Sequence, residues 1–440
     1  MTDALLGGSR LHPHWSTKRL RYLASINDRK LSDSMPADAP LRYMDISSVN
    51  GDGSRQEPEE MLFENAPSRA RRLAREGDTA IATVRTYLKA IAFVDEGVRD
   101  CIWSTGFAIV SPGAELHPRF LYYIARSSWF VAEVRRRSVG VSYPAVNADD
   151  IADILCPVPP LDEQRRIADF LDDEIARLDE LAQLRSRLHA YLEERWQAIV
   201  WSAVATRDGV GWVTLPLKQV AEIRVSNVDK KSVDGQTTVR LCNYTDVYYR
   251  DTIAPDQQFM AASATREQIE SFRLRRGDVI ITKDSETPDD IGEPAFVAES
   301  APDLVCGYHL AVLRPRSDAI DGRYLHWSMS SSWLRGQLAA RATGVTRFGL
   351  RTEVIANALV NVPPVDEQRR IADLLDREKE QNDAVASRLE RQMKVLEERR
   401  QALITAAVTG QLDPSSYSVS ALAARRWLSS PPPRNSTSRI

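Results

Sequence analysis

The sequence predicts an α+β chain with a pseudo-two-fold internal repeat. Two similar mixed α/β domains are separated by two long antiparallel coiled-coil helices. Three observations predict this. The stretch PPLDEQRRIADFLD (159–172) returns as PPVDEQRRIADLLD (363–376), 204 positions on, changed only at Leu161/Val365 and Phe170/Leu374. Each copy runs on into a long stretch free of Pro and Gly, which reads as a helix. Upstream of each copy lie short apolar, β-branched runs, AREGDTAIATVR (74–85) and RRGDVIITK (275–283), each behind a Gly-Asp turn.

The repeat register extends well beyond the quoted phrase. LEERWQAI (192–199) stands against LEERRQAL (396–403) at the same offset of 204. Going backwards, Arg119-Phe120-Leu121 matches Arg323-Tyr324-Leu325, and Gly140-Val141-Ser142 matches Gly344-Val345-Thr346. Further back the offset drifts, with Gly77-Asp78 against Gly277-Asp278. FAIVSP and LAVLRP are further strand-like runs, and RFLYYIARSSWFVAEVRR and RYLHWSMSSSWLRGQLAAR have helical spacing.

The helices are expected to carry an apolar seam at alternating steps of three and four. Its members are Ile167, Leu171, Leu178, Leu181, Leu188 and Leu192 in the first copy. In the second they are Ile371, Leu375, Val385, Leu389, Leu396 and Leu403. About 40 residues at ~1.5 Å each make a rod of roughly 60 Å. Pro-Pro before each rod stops the preceding strand and suits a helix start. Two such rods in one chain can bury their stripes on each other, and a two-fold relation makes them antiparallel. A plain dimerisation coiled coil would not need to be written twice around a globular domain. The expected boundaries are a first domain over 1–158, a first helix over 159–208, a second domain over 209–362 and a second helix over 363–412. The Ser/Pro/Arg-rich tail, 413–440, reads as disordered.

Composition narrows the function. With 440 residues the chain is too long for one ordinary core. No apolar run reaches the roughly 20 residues of a membrane span, and the first residues carry no secretory signal. A cytoplasmic protein is the expectation. Cys101, Cys156, Cys242 and Cys306 are scattered, which argues for buried thiols and no metal site. No phosphate-binding loop, dinucleotide fingerprint, zincin, nucleophile-elbow or amino-methylase motif is present. His309 and His326 show no partner in the sequence and read as structural. Asp162 and Glu163 sit at a helix start, where they complement the dipole rather than act as catalysts.

The net charge of −3 gives no global nucleic-acid signal, but binding needs only a local basic face. Arg119, Arg126, Arg135, Arg136 and Arg137 stand against Glu133 alone between positions 119 and 143; Arg335, Arg341, Arg347 and Arg351 meet no acid between 335 and 351. Each stretch contains a Gly-Val-Ser/Thr loop leading into a short helix, and Asn147 is placed to cap the first. Such a loop with Arg nearby suits a phosphate contact. The scaffold agrees between copies while the candidate contact residues differ. They are Arg85, Lys89, Arg135, Arg136, Arg137, Ser142 and Tyr143 in the first copy, and Lys283, Arg341, Thr346, Arg347 and Phe348 in the second. Similar domains with different contacts suit two different half-sites in double-stranded DNA.

This arrangement resembles the specificity subunit of type I restriction–modification systems, over about 15–412. The repeated phrase PPL-DEQRRIADFLD, the rods and the Gly-Val-Ser/Thr loops stand in the order that family has. The resemblance implies two DNA target-recognition domains and two helices that set the distance between half-sites and dock modification subunits. It implies a non-catalytic chain without bound cofactors. S-adenosylmethionine belongs to the methyltransferase subunits, and ATP and Mg to a separate restriction subunit with translocase and nuclease activity. Two other readings are an adaptor that joins proteins through its rods and an enzyme with an unrecognised site. The matched Arg clusters argue against the first.

Overall fold

The computed structural model describes residues 5–6, 9–10, 12–32, 34–205 and 211–414. The expected 208/209 boundary and positions 415–440 of the expected disordered tail lie outside them. The chain divides into two compact units, one from 1–184 with 391–440 and one from 185–390. The division runs through the middle of both long helices, Leu161–Ala205 and Val365–Val408.

In unit one, two four-stranded sheets carry the domain. One has the order Glu59–Leu62, Pro40–Met44, Ile102–Ser104, Ala70–Leu73. The other has the order Ala24–Ile26, Phe107–Pro112, Thr79–Ala82, Ile91–Phe93. Unit two repeats the plan. Its five-stranded sheet centres on Leu310–Pro315 and Val279–Thr282, and a three-stranded sheet pairs Thr237–Cys242 in parallel with Leu304–Cys306. The strands behind the Gly-Asp turns, Thr79–Ala82 and Val279–Thr282, are buried throughout, which explains their unbroken apolar character. Each turn is built the same way. Gly77 and Gly277 take φ of 91° and 92°. Asp78 and Asp278 are buried and accept the backbone N–H of Arg75 (2.7 Å) and Arg275 (2.9 Å). Arg29 (2.8 Å) and Arg314 (2.7 Å) neutralise the two carboxylates. All four cysteines are buried and free.

Each stretch with helical spacing after these sheets forms two helices. Pro118–Arg126 and Ser128–Arg137 break at Ser127; Gly322–Ser330 and Ser332–Ala339 break at Ser331. Both serines are extended, and each hydroxyl donates to the carbonyl three residues back at 2.6 Å. The side chain thereby replaces a bond that the continuing helix would have made.

The repeated phrase proves to be a docking segment between helix and domain. Gln164 is fully buried. Its amide donates to the carbonyls of Pro159 and Glu115 (both 2.9 Å), and its carbonyl accepts from the N–H of His117 (2.8 Å). Gln368 repeats all three bonds, with Pro363, Ala319 and Asp321 (2.8, 3.1 and 2.7 Å). Two turns on, Asp172 accepts from Arg119 and from Tyr123 (2.5 Å), while Asp376 accepts from Arg323 (2.8 Å) and the Trp327 indole (2.7 Å). Asp162 and Glu163, and their counterparts Asp366 and Glu367, lie in the first helical turns as expected.

Within each unit the start of one long helix packs antiparallel on the end of the other. In unit one, Ile167, Leu171, Ile175 and Leu178 share a core with Leu396, Leu403, Ile404, Ala407 and Val408. In unit two, Ile371, Ala372 and Leu375 meet Trp196, Val200 and Val204. The expected seam is right at the helix starts and drifts by one residue further on. Trp196, Val200 and Val204 are buried, whereas Leu192 and Ile199 are only half-buried. From Leu178 to Trp196 is 18 residues, five turns at ~3.6 residues per turn, so the buried face follows a straight helix rather than a 3.5-residue heptad. Leu181, Leu188 and Val385, expected in the seam, are 42%, 45% and 42% exposed. Leu389 is buried.

His326 is buried against Trp327, with ring centroids 4.7 Å apart, and its Nδ1 has no partner. Burial pushes its pKa down from 6.5 to about 4 despite the Asp251 and Asp376 charges. The folded state therefore holds it neutral. Its contribution to stability is whole above pH 6.5 and drains away as pH falls toward 4. Thermal melts should lose about 2 kcal/mol of stability between pH 6.5 and 5, and His326→Phe should flatten that dependence. Gln368→Ala should cost about 2–4 kcal/mol in denaturant titration, because it leaves two carbonyls and an N–H unpaired.

Candidate nucleic-acid interface

In unit one the buried strand Thr79–Ala82 emerges into an exposed turn. Arg85 and Lys89 both adopt left-handed backbone, at φ 50° and 54°, flanking a single 3-10 turn, Thr86–Leu88. Non-glycine residues seldom take this conformation, and each costs of order 1–3 kcal/mol unless its surroundings enforce it. Here the surroundings are the second loop. Thr86 Oγ1 lies 2.9 Å from Ser138 Oγ. Ala145 bridges both Val84 and Val139. Gly140, at φ 112°, turns the chain between them. The tip is bare: Val141 is fully exposed and Tyr143 is 66% exposed. The Arg85 guanidinium lies 5.0 Å from the Tyr143 ring centroid, so Arg85, Ser142 and Tyr143 form one surface.

The five arginines expected as one basic cluster divide. Arg119 chelates Asp172 and lies over the Phe93, Tyr122 and Tyr123 rings. Arg126 is buried. Arg136 and Arg137 both turn back onto Glu133, one helical turn away, and their hydrogen bonds hold its carboxyl below the usual range. Arg135 is exposed and has no ion pair among the described residues. Asn147 occupies the cap position of its helix but makes no side-chain cap bond.

Unit two reuses the scaffold. The chain leaves Val279–Thr282 and pairs Asp284–Ser285 with Phe348–Gly349. Thr343 bridges Gly349, and Leu350 N–H donates to Lys283 O at 2.8 Å. Gly344 is required, because a Cβ there would meet the Arg347 carbonyl. Val345 is 95% exposed, and Thr346 and Arg347 stand exposed beside it. Arg341 is exposed on the approach to the loop. Phe348 departs from expectation: it is half-buried against the unit-two core, since its pairing with Ser285 turns it inward. Lys283 also departs. Its side chain is 19% exposed and bonds Asp284 at 2.9 Å. His309, expected without a partner, bonds the same carboxylate through Nδ1 at 2.6 Å. Burial opposes the Asp284 charge, but the bonds from His309 and Lys283 prevail and lower its pKa.

Sequence reasoning missed a tyrosine cluster beside this loop. Tyr244 and Tyr248 stack at 5.4 Å and 17°, with Tyr249 edge-on to Tyr248 at 4.9 Å and 76% exposed. They are carried by Tyr244–Tyr248, a short helix with a capping box from Asn243 and Asp246. Tyr248 donates to Asp290 at 2.9 Å. Burial raises the Tyr244 pKa, although Ser285 and the Arg347 charge act against it, so this ring lies close to the second loop. The signal was legible as tyrosines at i and i+4 behind an Asn cap.

Two similar loop platforms on two similar domains, each joined to a long helix by the same glutamine peg, now stand beside what other proteins show. A family model described as the type I restriction modification DNA specificity domain matches residues 90–189 and 209–391. The chain belongs to this family. Among curated members, it is 22% identical to the EcoBI type I restriction enzyme specificity subunit of Escherichia coli over 304 residues, 62% of this chain and 60% of that one. It is 19% identical to the MjaVIII specificity subunit of Methanocaldococcus jannaschii over 261 residues, 55% and 59% of the two chains. The matches thus span about three-fifths of the length of these relatives. A solved chain from a study of complex assembly and conformational transition of the type I R-M system is 26% identical. It has a TM-score of 0.75 and covers 92% of this chain and 100% of that one. The HsdS subunit from Thermoanaerobacter tengcongensis is 27% identical with a TM-score of 0.53, covering 92% and 99%. As in these specificity chains, α+β domains alternate with long helices. No helix among the described residues is long and apolar enough to cross a membrane.

Proposed function

We propose that this chain is the non-catalytic, sequence-reading subunit of a type I restriction–modification complex in the cytoplasm. The first domain, 1–158, and the second, 209–362, each read one half of a bipartite asymmetric site in double-stranded DNA. The helical segments 159–208 and 363–412 set the spacer and dock the methyltransferase subunits. S-adenosylmethionine is bound by those subunits, and ATP and Mg by a restriction subunit.

One observation carries the reading. The two loops are closed by the same bridges and the same Gly-Val tip, yet they present different side chains. Arg85, Ser142 and Tyr143 stand at the first, and Thr346, Arg347 and the tyrosines at the second. A common scaffold with exchanged exposed groups suits reading of two different base sequences. Lys89, Arg135 and Arg341 supply positive charge for the backbone, with smaller contributions from Arg136 and Arg137, which Glu133 already engages. Phe348 and Lys283 support the second loop from below. The exposed Leu181, Leu188 and Val385 are the helix positions free to meet partner subunits, while the remaining seam residues serve the helix pair itself.

A map of modified bases in the host genome, with and without this gene, tests the assignment. Loss of one gapped, adenine-methylated motif is expected. An unchanged map in a host expressing the modification subunit would favour a scaffold. Arg347→Ala should weaken or relax reading of one half-site only, by about 1–3 kcal/mol, measured by competition binding with duplexes altered in either half. Equal loss at both halves would contradict the assignment. Insertion of one helical turn in a long helix should change the spacer of the methylated motif and leave both half-sites unaltered.

A further inference from the structure

A second feature of unit one has no role in base reading. Beside the strained turn lies a cleft of about 280 Å³ lined by Lys89, Arg126, Ser128 and Arg135, with no carboxylate in its wall. Arg126 is 4% exposed. Its Nη1 donates to Tyr122 Oη at 2.9 Å, while its Nη2 is buried without a partner. Asp52 and Asp179 are near enough to feel its charge, yet neither forms an ion pair with it. A buried guanidinium N–H left unpaired is costly unless a ligand completes it. Lys89 and Arg135 have no ion pair among the described residues. The wall also includes the first turn of Ser128–Arg137, a ten-residue helix that has neither an acidic first-turn residue nor a side-chain cap. The positive end of a helix, a buried free guanidinium and two unpaired cations together make a seat for a phosphate group.

The second copy lacks this seat. Ser330 stands where Arg126 does, and Ala339 where Arg135 does.

We infer that the cleft seats one backbone phosphate of the DNA held by the first domain, and that the second domain has no counterpart. The inference rests on the DNA-reading assignment above. It makes the two domains unequal in kind: the first adds a fixed phosphate clamp to its base contacts, and the second relies on its loop and tyrosines.

The test uses the full chain assembled with its modification subunits and duplexes carrying the mapped target. Single phosphates are replaced one at a time by neutral methylphosphonate. In the wild type, one replacement at the first half-site should weaken binding roughly tenfold. The Lys89→Ala/Arg135→Ala variant should lose sensitivity at that position, keep its base preference and show a salt slope shallower by about 1–2. Both changes are at exposed side chains, and Arg126→Lys provides a second variant that keeps the charge while removing the fork. If the wild type prefers its target but no phosphate sensitivity moves in the variants, the clamp is overturned while the DNA reading stands. If the wild type does not distinguish target from scrambled duplex, the reading itself fails. A wild-type melting temperature raised by inorganic phosphate, with unaltered DNA binding in the variants, would reveal a free-anion site and overturn the backbone assignment.

Discussion

The buried glutamine near the start of each long helix is the contact on which the rest of the architecture depends. Gln164 and Gln368 each spend both faces of one amide on three backbone groups: the carbonyl before the Pro-Pro step, a carbonyl in the preceding loop, and the N–H that opens the next helix. An amide is suited to this because it donates and accepts in one plane. A carboxylate could not donate, and an apolar residue would leave all three groups unpaired in the interior. The bond set fixes the direction in which the rod leaves its domain. Asp172 and Asp376, two turns on, fix its rotation.

The other ends of the rods are held by different means. In unit one, Thr405 accepts from Ser128 N–H and Arg400 reaches Asp179. In unit two, Asn361 donates to the carbonyls of Val204 and Ala205. Each unit therefore closes only when the beginning of one helix and the end of the other are both in place. That mutual dependence accounts for the near-identity of the two helical segments. Both copies must satisfy the same geometry at the root, whatever their exposed loops carry.

The loops show how variation is confined. Each is closed by backbone bridges and a glycine in left-handed or strained territory, so the tip keeps its shape while its side chains change. Arg85 and Lys89 hold left-handed backbone without glycine. The side chain at each position is thus kept in spite of the conformational cost, at the point where the chain meets the outside.

The sequence by itself determined whatever depends on spacing along the chain. The internal repeat, the limits of the rods, the Gly-Asp turns with their buried strands, and the Gly-Val loops all follow from local conformational preference and periodicity, which a one-dimensional text records. Tertiary structure alone decided which groups meet. It drew Arg119 to Asp172 and left Arg135 free. It gave Lys283 and His309 a shared carboxylate, turned Phe348 inward, and assembled the tyrosines beside Arg347. It also moved the buried helix face from Ile199 to Val200, because small angular differences accumulate over many turns. Pairing and burial depend on distances between residues far apart in the chain, and composition or period carries no record of those distances.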